Sequence, residues 1–319
     1  MLQMILPEGS SSLLAFFGIL FAFGATVLAT AKLSPYLPKN AGREFAHDGK
    51  LSAGKPRGAG IIFVLAFVAS VLLFSPLSAE LVIYLLLIVV CMMTGFLDDA
   101  SKTPWGEYKK GFLDLCVAAL VAITFLKYNS NVVELALFHV KFTLPPVVFA
   151  ILTVILVWTS VNVTNCSDGV DGLSGTLSII TIMSIYIVDR MKEVDETYSF
   201  LILLFAVCIL GYLWYNATPS KLMMGDAGSR AMGLFISIAI LKSGCPFLFI
   251  ALVLILDGGL GLLKVSLLRF LKIHILKNVR TPLHDHVRKV WDWSNTQTVF
   301  RFAIIQIILS LAVIYAMQL

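Results

Sequence analysis

A run near the middle of the chain reads Asn162-Val-Thr-Asn165-Cys-Ser-Asp168-Gly169-Val170-Asp171-Gly172-Leu173. Two amides, two carboxylates and two glycines interrupt sequence that is apolar on both sides. Polar groups at the edge of a bilayer are costly and are kept for a purpose. Asn162, Asn165 and Asp168 recur every three residues. On a helix that spacing drifts by roughly 60° per step, so the three are expected to share one broad face. The glycines permit a turn, and Asp171 is placed to cap the next helix.

Three further clusters have chemical potential. Gly95-Phe-Leu-Asp98-Asp99-Ala-Ser-Lys102 ends an apolar run. Adjacent carboxylates suit a divalent cation, a general base, or one of each, and a helical turn would bring Lys102 beside either. A charged helix end closed by a salt bridge is the plainer alternative. Tyr215-Asn216 is followed by Lys221-Leu-Met223-Met-Gly225-Asp226-Ala-Gly228-Ser229. Its glycines allow backbone to approach a ligand, and a helix N-terminus beyond them favours phosphate. A tight turn that caps the next helix would look the same. Finally, Pro282-Leu-His284-Asp285-His286 lies in a basic stretch. Two histidines flanking an Asp suit metal, acid–base work or phosphate. His47, His139 and His274 lack such company.

The elements that must position these groups are membrane helices. Of 319 residues, 59% are hydrophobic and 13% charged, against roughly 25% charged in soluble domains. The apolar runs are continuous, which excludes the alternation of a transmembrane barrel. The expected fold is therefore an all-α polytopic membrane protein forming one domain over residues 1–319. Ten candidate spans are predicted at about 12–32, 58–75, 79–97, 111–127, 145–164, 170–188, 199–215, 229–243, 246–267 and 299–318. The first reads as a retained span, not a cleaved signal. Residues 128–144 alternate in polarity and suggest a small β-hairpin.

Charge sets the expected orientation. Nineteen Lys and Arg fall in odd-numbered loops and helix ends, and five in even-numbered ones. The positive-inside rule then puts the odd loops in the cytoplasm and both termini outside. All four clusters share the cytoplasmic side. The net charge of +5 is accounted for by this topology, so no nucleic-acid partner is expected. Cys91, Cys116, Cys166, Cys208 and Cys245 include no CxxC and read as small core residues. Acids at helix ends suit a reaction joining a soluble to a lipid substrate. A transporter or flippase would more naturally place them near the bilayer midplane.

In this order the four clusters resemble the polyprenyl-phosphate N-acetylhexosamine-1-phosphate transferases, over nearly the whole chain. The Pro282-Leu-His284-Asp285-His286 segment, together with Asp48-Gly49 and Gly54-Lys55-Pro56-Arg57-Gly58, is most similar to the phospho-N-acetylmuramoyl-pentapeptide branch. Departures are Asp285 at the middle histidine of a triple, Asp114 where a glutamine is usual, and Lys55 and Arg57 where threonines are common. The resemblance implies transfer of phospho-N-acetylmuramoyl-pentapeptide from UDP to undecaprenyl phosphate, giving lipid I and UMP in peptidoglycan synthesis. The alternative donor is UDP-N-acetylglucosamine. It also implies a Mg²⁺ cofactor, a homodimer among membrane lipids, and a bacterial inner-membrane location with the site facing the cytoplasm. By the same resemblance, Asp98, Asp99, Asp168, His284 and His286 are the expected catalytic residues, and Asp226 and Asp99 the metal ligands. Lys102, Lys110, Asn162, Asn165, Val170, Asp171, Asn216, Met223, Gly225 and Lys264 are expected to bind substrate.

Overall fold

In lipid every backbone polar group must be paired within the protein, and helices do this segment by segment. The computed structural model describes residues 11–40, 42, 52–101, 103, 105–138, 140–245 and 247–318. The main helices are α1 (Ser11–Leu33), α2 (Gly60–Phe74), α3 (Ala79–Asp99), α4 (Glu107–Tyr128), α5 (Pro146–Cys166), α6 (Leu173–Met191), α7 (Glu196–Asn216) and α8 (Gly225–Ser243). A broken stretch follows: α9 (Phe247–Ile250), α10 (Leu252–Leu254), a π-helical turn Ile255–Gly259, α11 (Leu260–Ser266) and a second π-helical turn Leu267–Leu271. The chain closes with α12 (Leu283–Val290) and α13 (Asn295–Ala316). Between α4 and α5, β1 (Val132–Leu135) pairs antiparallel with β2 (Val140–Thr143), Val132 opposite Thr143.

Among the described residues, seven helices are long and apolar enough to cross a membrane: α1, α3, α4, α5, α6, α7 and α13. The chain is a multi-pass membrane protein, with fewer such helices than the ten spans expected. The other three runs differ for identifiable reasons. Apolar α2 has only 15 residues. α8 carries Asp226, Arg230 and Lys242 and is buried along most of its length. It packs against α2, α3, α5 and α6, so its polar groups answer to protein partners and not to lipid. Arg230, for instance, is ion-paired with Asp114 of α4, both side chains 3% exposed. The ninth run is broken by its π-helical turns, and the first of them holds the fully buried Asp257. Hydropathy alone does not register such a break.

Helix starts follow local capping chemistry. Leu81 N donates to Ser78 Oγ (3.1 Å) at the start of α3. At α13, Gln297 N donates to Ser294 Oγ (3.1 Å) and Ser294 N to Gln297 Oε1 (3.0 Å), a capping box. The core runs continuously from α1 to α13 and is rich in aromatics; Phe205 and Phe235 stack with centroids 4.1 Å apart.

Antiparallel α3 and α8 form the axis that matters for function. Gly95 sits so close to the backbone of Asp226 that a Cβ would overlap the Asp226 carbonyl. This contact brings the C-terminus of α3, with its two acids, to the N-terminus of α8.

Candidate active site

Four segments meet at that junction. The first loop is locked by main-chain hydrogen bonds: Met223 N donates to Pro56 O (2.8 Å), Ala59 N to Met223 O (3.0 Å) and Gly60 N to Met224 O (3.0 Å). Arg57 is thereby held over α8. Its Nε lies 2.8 Å from Asp99 Oδ1, and its Nη2 donates to Asp226 Oδ1 (3.3 Å). Gly225 has a φ of +69°, and a side chain there would collide with Asp99 Oδ2. Only glycine both tolerates this backbone and leaves room for the carboxylate. Ala227 N donates to that same Asp99 Oδ2 (3.2 Å), so Asp99 of α3 caps α8 from outside.

Lys110 of α4 completes the cluster. It is ion-paired with Asp98 and donates to Asp226 Oδ2 (3.2 Å). Trp105 N also donates to Asp98 Oδ1 (2.6 Å). Asp168 faces the same space. Burial, then repulsion from Asp226, pushes its carboxyl up to about 7, and Arg57 offsets this only in part. Burial opposes charge on Arg57, yet Asp99 and Asp226 leave its guanidinium above the ordinary value. Four carboxylates thus converge on two cations.

Of these groups Arg57, Asp168 and Asp226 border a cavity of about 140 Å³, which Asn165, Gly169, Val170, Asp171, Asn216, Met223 and Gly225 also line, with Asn40, Ser52 and Ser229. Its rim is stitched by amides. Gly172 N donates to Asn216 Oδ1 (2.8 Å), and Asn216 Nδ2 donates to Leu222 O (2.8 Å). Asn165 Nδ2 donates to Ser229 Oγ (3.1 Å).

Two local readings of the sequence are corrected. Asn162, Asn165 and Asp168 do not share a helix face, because α5 ends at Cys166 and Asp168 lies in the turn beyond. Asn162 points away from the cavity, donating to Trp158 O (2.8 Å) and to Asp114 Oδ2 (3.4 Å). Nor does Asp171 cap α6, whose N-cap is Gly172 at φ +81°. Asp171 instead accepts from Ser220 N (3.2 Å) and faces Lys55 Nζ at 3.7 Å.

The histidine segment forms α12. His284 is buried, its backbone N donating to Asp257 Oδ1 (2.8 Å) and its ring Nδ1 lying 2.9 Å from Asp257 Oδ2. Its Nε2 faces Gly169 at the edge of the cavity. A carboxylate on Nδ1 directs the ring and favours the proton on that nitrogen. Arg288 Nη2 ties α12 to the loop by donating to Gly169 O (3.3 Å). Asp285 accepts from Arg288 (2.8 Å) and Lys289 (3.1 Å). Burial alone would raise its carboxyl, but His284, Lys289 and Arg288 hold it below the ordinary range. His286 is half-buried, accepts from Arg280 N (3.3 Å) and packs edge-on against Trp291. Lys264 donates to Leu276 O (3.0 Å) and Val279 O (2.8 Å), fastening the loop before α12. Lys102, Asp48 and Gly49 lie outside the described residues.

Sequence reasoning missed the structural part played by Asp257, and it gave Arg57 no role, naming it within the Gly54–Gly58 stretch and as a departure from the usual threonine. For Asp257 a signal existed: an acid followed by two glycines inside an apolar run.

The model of glycosyl transferase family 4 matches residues 81–244. A phospho-N-acetylmuramoyl-pentapeptide-transferase of Treponema pallidum (strain Nichols) is 39% identical, over 93% of this chain and 86% of the relative. The chain belongs to the phospho-N-acetylmuramoyl-pentapeptide-transferase family. Members from Wolbachia pipientis wMel (27% identical; 80% of this chain, 82% of the relative) and Clostridium acetobutylicum (25% identical; 92% and 96%) also match. The family-model match begins in α3 and ends just past α8, so it covers Asp98, Asp99, the Asn162–Leu173 run and Asp226. Arg57, Asp257 and His284 lie outside it, but within a chain that aligns with the family almost throughout.

Proposed function

We propose that the chain transfers phospho-N-acetylmuramoyl-pentapeptide from its UDP donor to undecaprenyl phosphate. A lipid phosphate oxygen attacks the sugar-side phosphorus, the bond to the other phosphate breaks, UMP leaves, and lipid I carries the new diphosphate. The observation that carries this reading is the clustering of four acids, with Asp168 and Asp226 lining one cavity and Asp98 and Asp99 packed behind it, against Arg57 and Lys110 as the cations paired with them among the described residues.

Two phosphate reactants repel each other, so the site must supply positive charge and alignment. The donor set fits Mg²⁺. Among the described residues no three His, Cys, Asp or Glu side chains enclose a metal, but Mg²⁺ characteristically takes one or two carboxylates plus substrate phosphates and water. Asp226 and Asp99 would hold it. When bound, it would neutralise charge on the transferring phosphate.

The chain's own groups have separable tasks. Lys110 and Trp105 N fix Asp98, which orients the lipid phosphate and accepts its proton when one is present. Asp168 supports the centre from the opposite wall. Asn165, Asn216, Val170, Asp171, Met223 and Gly225 surround the uridine and diphosphate. His284, aimed by Asp257, addresses phosphate or sugar at the Gly169 edge; His286, on another face of α12, is assigned to phosphate or sugar on the family resemblance. Asn162, through Asp114, steadies the end of α5. Lys102 and Lys264 are assigned to phosphate on the family resemblance, although Lys264 here serves backbone carbonyls. The site faces the cytoplasm of a bacterial inner membrane, and the enzyme works as a homodimer.

The test is UMP release by the purified chain with undecaprenyl phosphate and either donor. Mg²⁺-dependent release with the muramoyl-pentapeptide donor alone is the expected result. Release with UDP-N-acetylglucosamine instead would move the chain to another branch, and release from neither would overturn the reading.

A further inference from the structure

The divalent site and Arg57 contend for the same oxygens. The guanidinium is 2.8 Å from Asp99 Oδ1 and 3.3 Å from Asp226 Oδ1, the two carboxylates assigned to the metal. A guanidinium and a divalent cation cannot both sit between these atoms without severe like-charge repulsion. The Arg57 backbone is pinned, with Arg57 N donating to Pro38 O (2.8 Å) and Pro56 and Ala59 bonded to Met223. Its long side chain is the part free to relocate. The side chain is 20% exposed and lines the cavity, so a short swing takes the guanidinium from the carboxylates into the cavity. There its planar donors suit the diphosphate of a nucleotide sugar.

We propose that Arg57 is an exchangeable internal cation: it neutralises Asp99 and Asp226 while the site is empty, and passes to the donor diphosphate when the divalent ion takes those carboxylates. The inference rests on the metal assignment above and adds an order to it. Metal entry frees Arg57, and the freed Arg57 strengthens nucleotide binding, so the two ligands bind with positive coupling. By reciprocity, nucleotide raises metal affinity by the same factor.

Two measurements on the detergent-purified full chain test this. In the first, free Mn²⁺ is followed by electron paramagnetic resonance in wild type and Arg57→Gln. With its competitor removed, the variant is expected to bind Mn²⁺ roughly tenfold more tightly without nucleotide, while UDP no longer tightens it. In the second, phenylglyoxal labelling of Arg57 in wild type is located by mass spectrometry, which needs no variant to fold. Mn²⁺ is expected to raise the labelling rate, and UDP added afterwards to lower it. Equal or weaker Mn²⁺ binding by a variant with native melting, or labelling that Mn²⁺ leaves unchanged or lowers, overturns the exchange. If donor-specific UMP release persists in that case, the proposed function stands without it. Absence of Mn²⁺ binding in wild type overturns the exchange and the metal assignment together.

Discussion

The two ends of the α3–α8 pair are built from similar residues to opposite purposes. At one end a single carboxylate, Glu80, is surrounded by donors: Asn129 Nδ2 (2.6 Å), Tyr198 Oη (2.9 Å), Tyr84 Oη (3.1 Å) and Lys242 Nζ (3.2 Å). Lys242 also donates to Asn129 Oδ1 (2.7 Å) and lies over the Tyr198 ring, 4.1 Å from its centroid. Every polar group there is matched, so the cluster ties four helices together and needs nothing further. At the other end four carboxylates share Arg57 and Lys110. Matching makes a clamp; mismatch makes a site that gains stability from a cationic ligand. The same pair of helices delivers rigidity at one end and binding at the other.

The largest expected effect breaks the comparison at the mismatched end. Asp226→Ala should lower UMP release by about a thousandfold or more, since the proposed metal ligand is lost. Its melting temperature should stay near wild type, because Arg57 and Lys110 keep Asp99 and Asp98 as partners. Glu80→Ala should do the reverse. Removing the acceptor shared by Lys242, Asn129, Tyr84 and Tyr198 should cost about 3 kcal/mol of stability, read as a lowered midpoint of thermal unfolding, with turnover per folded molecule unchanged.

Asp257→Asn keeps the shape of the His284 contact and removes its charge. A decrease of about 10- to 100-fold in kcat with a smaller change in KM is expected, measured by initial-rate kinetics. For Asp168 the sign follows from its raised carboxyl. The folded chain holds this proton up to about pH 7, whereas the unfolded chain releases it in the ordinary carboxylate range. The associated stability is fully present at acid pH and is lost as pH rises through about 7. Melting of the ligand-free protein should therefore fall between about pH 4 and 7, and Asp168→Asn should flatten that fall. Smallest of all, Lys141→Ala removes a 3.4 Å contact to Glu134 from a side chain that is 67% exposed. It should shift stability by about 0.5 kcal/mol or less.

Much of this organisation is legible in the chain. Asp98-Asp99, the Asn162–Leu173 run and Gly225-Asp226 announce themselves because they are polar clusters between apolar helices and share one side of the charge-derived topology. Pairings across the bundle are another matter. Arg57 and Lys110 lie 169 and 116 positions from Asp226, in an unremarkable basic loop and helix end. Only folding shows that both converge on one carboxylate. Asp257 was hidden by the length of the apolar run around it, because hydropathy averages over the π-helical turn that buries it. Helical periodicity failed at Asp168 for a simpler reason: α5 stops two residues earlier, and a face exists only while the helix continues.

Gly225 bears on how such a cavity would respond to a drug. It lies on the cavity wall in a left-handed conformation, with the Asp99 carboxylate filling the space a side chain would need. One way to escape an inhibitor is to enlarge a contact residue. Here that route is closed, because any enlargement displaces Asp99. An inhibitor that rests on the backbone at Gly225 would therefore meet a surface with few routes to resistance.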